Sequence, residues 1–171
     1  MSSKDKNLST VDQQSLGDCS QYKIGIVVSE WHSNITHKLS DAAKEFLVSH
    51  NVLEENITEV NVPGSFELPL GAKMLLSSKN PDAVICIGCV ITGETKHNEY
   101  INHSVARAIS QLALVSSKPI IFGVLTPENM QQAIDRSGGE HGNKGVEAAY
   151  SALKMLSIKS DLDTKEKRIG F

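Results

Sequence analysis

The stretch Ala83–Arg107, AVICIGCVITGETKHNEYINHSVAR, passes from a continuous apolar run through a polar loop into a helical pattern. Ala83 to Ile91 is short, uninterrupted and rich in β-branched residues, as a strand covered on both faces should be. Ile101, Val105, Ala108, Ile109 and Leu112 then recur at three- and four-residue spacing, which marks the buried face of a helix. Between them, Gly93-Glu94-Thr95-Lys96-His97 lies at the carboxyl end of a strand and the amino end of a helix. Free backbone N–H groups and the positive end of the helix dipole meet there, so the loop suits an anion. Gly88 and Gly93 allow close backbone approach and the turn.

Working outward, strands and helices alternate. A strand over residues 22–29 ends at Glu30-Trp31-His32-Ser33-Asn34, and a helix follows with Leu39, Ala42, Ala43, Phe46 and Leu47 on one face. A second strand, residues 57–62, stops at Pro63-Gly64, and PGSFELP turns into a helix carrying Leu68, Ala72, Leu75 and Leu76. Lys118-Pro119 opens a fourth strand, residues 120–125. Thr126 is expected to cap the next helix with Pro127 at its first position, and Gly138-Gly139 to stop it after Arg136. The Gly-rich segment Ser137 to Gly145 reads as a loop, and a last helix spans about residues 143–156.

Parallel strands need crossover helices, so the expected fold is α/β: a three-layer, flavodoxin-like sandwich with a four-stranded parallel sheet between helices. Residues 1–21 read as a flexible N-terminal extension, residues 22–157 as one domain and residues 158–171 as a charged C-terminal tail.

Composition excludes several function classes. The 171 residues carry a net charge of −3 without a basic stripe, and only 5% are aromatic, so no nucleic-acid partner is expected. No apolar run is long enough for a membrane span, and the first twenty residues lack the apolar core of a signal peptide, so a cytoplasmic location is expected. Cys86 and Cys89 form a C-x-x-C, but residues three apart in a strand point to opposite faces, and both read as small buried hydrophobes. Neither metal-ligand spacing nor a dinucleotide fingerprint is present, so neither a metal nor a dinucleotide is expected.

In such sheets ligands bind beyond the carboxyl ends of the strands. Trp31, Ser65-Phe66-Glu67 and Glu94 to His97 all fall there. Trp31 is either packing or a stacking surface for a flat heterocycle. His97 is either a surface residue or a proton shuttle suited to neutral pH. Glu67 is either a first-turn charge favoured by the helix dipole or an acceptor for ligand hydroxyls, and Arg136 suits a helix end whatever its function. Arg136, about nine residues into its expected helix, would stand roughly 13 Å from the carboxyl edge at about 1.5 Å per residue. If Arg136 or Lys144 serves the site, it does so from a neighbouring subunit.

Together VPGSFELP from Val62, GCVITGETKHNEYI from Gly88, FGVLTPENMQQAIDRSGG from Phe122 and GNKGVEAA from Gly142 resemble the lumazine synthase family, in that family's order and spacing. The resemblance implies a transferase of riboflavin biosynthesis that needs no cofactor. Its reaction condenses 5-amino-6-(D-ribitylamino)uracil with 3,4-dihydroxy-2-butanone 4-phosphate to 6,7-dimethyl-8-ribityllumazine, releasing phosphate and water. By position, Trp31 would stack on the pyrimidine, and Ser65, Phe66 and Glu67 would contact the ribityl chain and ring. Val90 and Ile91 would also bind substrate. Glu94 and Thr95 would offer N–H groups to the phosphate, His97 would be the catalytic acid and base, and Phe122, Arg136 and Lys144 would come from the adjacent subunit. The resemblance further implies a homo-oligomer, a pentamer assembled as a sixty-subunit shell, with riboflavin synthase as a partner. His32, Thr92 and Asn98 depart from the family's usual residues.

Overall fold

Alternation along the central strands divides the interior into two cores. The computed structural model describes residues 16–167 of the chain. The elements run β1 (Ile24–Ser29), α1 (Ser33–Ser49), β2 (Ile57–Val62), α2 (Leu68–Lys79), β3 (Ala83–Cys89), α3 (His97–Ser116), β4 (Ile120–Leu125), α4 (Met130–Asp135), β5 (Ser137–Gly139), β6 (Gly142–Asn143) and α5 (Lys144–Lys167). Strands β1 to β4 form one parallel sheet in the order β2-β1-β3-β4. The flavodoxin-like α/β sandwich expected from the sequence is therefore the observed fold.

Ile24, Ile26 and Val28 of β1 and Ala83, Ile85, Ile87 and Cys89 of β3 face Ile35, Leu39, Ala43 and Leu47 of α1 and Ala149, Ala152 and Leu153 of α5. Val27, Val84 and Cys86 face the other way, onto Leu68, Ala72 and Leu75 of α2 and Val105 and Ile109 of α3. Every residue of β1 and β3 is buried. Each fully buried Ile, Leu or Val contributes about 1.5–3 kcal/mol, which makes this pair of strands the anchor of the domain. The C-x-x-C is split between the two cores, as period-two alternation requires.

Three local expectations need correction. Thr126 does not cap a helix at Pro127: α4 starts at Met130, and the Asn129 side chain accepts the Gln132 N–H at 3.0 Å. The Pro127 carbonyl is taken by the Thr92 N–H at 3.0 Å, which holds that segment against the end of β3 and delays the helix. Ser137 to Gly145 is not a plain loop but contains the antiparallel hairpin β5–β6, with Gly138 at φ 115°. The last helix does not end at Leu156 but continues to Lys167, and the charged Lys159, Asp161 and Asp163 beyond Leu156 are exposed to water. At the other end, Leu16 and Cys19, within the segment read as an extension, are buried in the α1–α5 core. Residues 1–15 and 168–171 lie outside the described residues.

The hairpin delivers α5 to α1 at very close range. A Cβ on Gly145 would stand 1.9 Å from the Leu39 carbonyl oxygen and 2.7 Å from its carbon, so only glycine fits without separating the helices. Gly145→Ala is expected to cost roughly 3 kcal/mol or more, because backbone cannot yield as a side chain does. The midpoint of chemical denaturation measures it.

Candidate active site

All four strands of the main sheet end at one edge, and the segments leaving three of them shape a cleft of about 690 Å³. Trp31 and His32 come from the β1–α1 connection, Gly64, Ser65, Phe66 and Glu67 from the turn after β2, and Cys89, Val90, Ile91, Gly93, Thr95 and His97 from the end of β3, the segment after it and the first residue of α3. These are most of the residues singled out from the sequence. Asn98, Tyr100, Ile101 and Ser104 complete the lining. The last three had a signal that went unread: they follow His97 by three, four and seven residues, the spacing of one helix face. Glu94, Phe122, Arg136 and Lys144 do not line this cleft.

Close packing explains how the turn after β2 reaches the site. A Cβ on Gly88 would meet Ser65 Oγ at 2.6 Å and Leu68 Cδ1 at 2.9 Å, so the bare backbone of β3 lets Ser65 settle beside it. Ser65 is buried and its hydroxyl has no hydrogen-bond partner. An unmet buried hydroxyl is costly, and at the cleft wall it is a ready partner for a polar ligand. Phe66 and Trp31, by contrast, are large apolar side chains left open, with Trp31 68% exposed.

His97 is the first residue of α3, and no side chain caps that helix. The uncapped first turn leaves backbone N–H groups aimed at the loop, the arrangement that holds an anion. The loop itself is tied at its base. Asn98 Nδ2 donates to Thr92 Oγ1 at 3.3 Å, while Thr92 donates its N–H and, at 3.4 Å, its hydroxyl to the Pro127 carbonyl. Two departures from the family pattern are thus bonded to each other.

Phe122 lies on the α2–α3 face of the edge strand β4, between the buried Ile120 and Val124, and is 40% exposed. Arg136 caps the end of α4, and no ion pair joins it to a carboxylate among the described residues. Its carbonyl accepts the Lys144 N–H at 3.0 Å across the hairpin, which brings the two cationic residues side by side. Lys144 Nζ meets both Glu147 oxygens at 2.8 Å. The helix that was expected to carry Arg136 for nine residues is only six long, so the earlier distance estimate rests on a wrong helix start.

Electrostatics set apart the groups that do not react. Burial pushes the Cys86 thiol up to about 12 and that of Cys89 to about 11. Burial also lowers the His32 imidazole below its ordinary value.

A parallel α/β sandwich with an exposed indole, an unmet hydroxyl and a histidine at the carboxyl edge of its sheet defines a flavodoxin-like α/β protein with a ligand-sized cleft at that edge. The sequence model of 6,7-dimethyl-8-ribityllumazine synthase matches residues 21–160. The chain is 52% identical over 157 residues to the 6,7-dimethyl-8-ribityllumazine synthase of Cytophaga hutchinsonii, covering 92% of this chain and 98% of the relative. It is 50% identical over 159 residues to that of Flavobacterium johnsoniae, 93% and 84% covered. With that of Parabacteroides distasonis the identity is 49% over 155 residues, 91% and 97% covered. The chain belongs to the 6,7-dimethyl-8-ribityllumazine synthase family, transferases of riboflavin biosynthesis.

Two outcomes follow from this geometry. Thr92→Val and Asn98→Ala should each loosen the loop before His97 and lower activity, and in a double-mutant cycle their effects should overlap by about 0.5–1 kcal/mol. Native protein should resist thiol-reactive reagents at Cys86 and Cys89 until it unfolds. Because both folded values are raised, burial of the thiols stabilises fully below the ordinary thiol value of 9.0 and that contribution is lost as pH rises toward 11 and 12. Denaturation midpoints measured from pH 8 to 11 should fall accordingly.

Proposed function

We propose that this chain condenses 5-amino-6-(D-ribitylamino)uracil with 3,4-dihydroxy-2-butanone 4-phosphate in a cleft that a neighbouring copy completes. The observation that carries the reading is the gathering of Trp31, Ser65, Phe66, Glu67, Val90, Ile91, Thr95 and His97 around one cleft from three separate connections. The indole of Trp31 offers a face to the pyrimidine. Ser65 and Glu67 supply a hydroxyl and a carboxylate for the ribityl hydroxyls, with Phe66 beside them, and Val90 and Ile91 form the apolar wall. Glu94 and Thr95 precede the uncapped start of α3, whose N–H groups receive the phosphate of the second substrate.

The reaction joins the aromatic amine to the ketone as a Schiff base with loss of water, expels phosphate as an anion, and closes the ring with loss of a further water. Each step moves a proton, and His97 relays it. Holding two substrates in register supplies much of the rate. His97→Ala should lower kcat about tenfold to a hundredfold, at or below the usual size of a general acid and base contribution, because the condensation also proceeds unaided.

Phe122 and the cationic pair Arg136 and Lys144 stand outside the cleft of their own subunit, and among the described residues Arg136 has no ion-pair partner. A ring of copies contacting head to tail brings that surface against the next cleft, where Arg136 holds the leaving phosphate by charge-assisted hydrogen bonds. The exposed surface of α3 supports assembly: only Val105 and Ile109 of its twenty residues are buried, and Leu114 and Val115 are 79% and 86% exposed. A pentamer built into a sixty-subunit shell is the assembly we propose, with riboflavin synthase, which consumes the product, as partner. A cytoplasmic location accords with this, and no described helix is long and apolar enough to cross a membrane.

Arg136→Ala should raise KM for the butanone phosphate well beyond that for the uracil. Co-assembled with His97→Ala subunits, it should recover activity toward about a quarter of the sites, since random mixing restores both residues to that fraction. No gain over the separate variants would place each site within one subunit. Native mass spectrometry or light scattering reads the assembly directly.

A further inference from the structure

β1 passes to α1 through only three residues, Glu30, Trp31 and His32. So short a connection needs a sharp change of direction, and His32 provides it in the left-handed region at φ 61°, ψ 45°. L-residues are strained there, with Asn, Asp and His among the more tolerant. The start of α1 holds the strain, because the His32 carbonyl accepts the Ile35 N–H at 2.8 Å and the Thr36 N–H at 3.0 Å.

His32 stands at the N-cap of α1, yet its side chain makes no capping hydrogen bond. A Ser, Asp or Asn at that position usually bonds an N–H of the first turn. The imidazole instead meets the indole of Trp31, with ring centroids 6.0 Å apart and planes at 76°. Ring quadrupoles favour this edge-to-face geometry. It is the ring contact that Trp31 makes among the described residues, and both side chains line the cleft.

We propose that His32 is a positioning residue: its imidazole, aimed by a left-handed backbone, props the Trp31 indole at a fixed tilt over the cleft and pre-forms the stacking surface for the heterocyclic substrate. The inference rests on the assignment of Trp31 as that surface. An indole so exposed would otherwise lose side-chain freedom on binding, and a ring set beforehand lowers that cost. Desolvation of the partly buried imidazole lowers its affinity for protons, which favours the uncharged ring in this contact.

Trp31 is the only tryptophan, so the fluorescence of the full-length assembled protein reports this ring alone. His32→Asn keeps a residue that tolerates left-handed backbone and removes the ring. It should lower the anisotropy of Trp31 emission and raise KM for the uracil about two- to tenfold, leaving kcat and KM for the butanone phosphate unchanged. His32→Tyr, which restores a ring edge at the cost of added backbone strain, should recover both readings in part. Unchanged anisotropy and KM in His32→Asn overturn the proposal, as do equal losses in kcat and both KM values, the mark of a general defect in folding.

Should His32→Asn fail to assemble, the unsubstituted protein decides. Glu30, Glu67, Cys89, His97 and Tyr100 are the other titratable groups of this connection and the cleft lining, so emission is followed with acidification in both the unsubstituted protein and a variant carrying Glu30→Gln, Glu67→Gln and His97→Gln together. Quenching in both, with a midpoint below the ordinary histidine range, supports the contact, and its absence from both overturns it. Trp31→Ala with an unchanged uracil KM would overturn the platform assignment and this inference together. Sensitivity to Trp31→Ala without sensitivity to His32→Asn would overturn the role of His32 alone.

Discussion

Parallel pairing of β1 with β3, buried on both faces, is the constraint on which the molecule depends. Parallel neighbours cannot be joined by tight turns, so each strand must be followed by a helix that returns across a face of the sheet. The helices bury the alternate residues of both strands in two cores. The same geometry sends every strand out at one edge, where three connections converge. The site is thus a consequence of how the sheet is wound, and its residues lie far apart in the chain because the connections do.

Within that edge, order is imposed by small local devices. Gly88 leaves room for Ser65 beside β3, and the Thr92 pair with Asn98 and Pro127 ties the loop that carries Glu94 and Thr95. The left-handed His32 turns the chain from β1 into α1. These contacts bring flexible connections to defined places at modest cost, which a site that must hold two substrates at once requires. Gly88 belongs to the central strand β3 and meets the core residue Leu68, whereas the Thr92 and His32 devices lie on the connections.

The surfaces outside the cleft are as telling as the cleft. Phe122 on the edge strand is 40% exposed, Arg136 at the end of a short helix forms no ion pair among the described residues, and α3 buries only Val105 and Ile109. The contact between copies proposed above would cover these surfaces. Lys144 differs from them, since Glu147 already holds its ammonium.

The order of the main-sheet strands and their helices, the face each helix buries and most of the residues that line the cleft from the connections were legible in the sequence. Each depends on periodicity or on residue type at an element's end, and both are local. The cap at Asn129 rather than Thr126, the β5–β6 hairpin and the continuation of α5 to Lys167 were not legible. The first turned on a competing bond from Thr92, thirty-five residues away. Tyr100, Ile101 and Ser104 joined the cleft only because α3 packs with that face toward the edge. By itself the sequence determined the winding of the chain, because hydrophobic period and turn chemistry act between near neighbours. Tertiary structure alone decided which groups meet across the cleft and which face away from it, because that depends on contacts between residues distant in the chain.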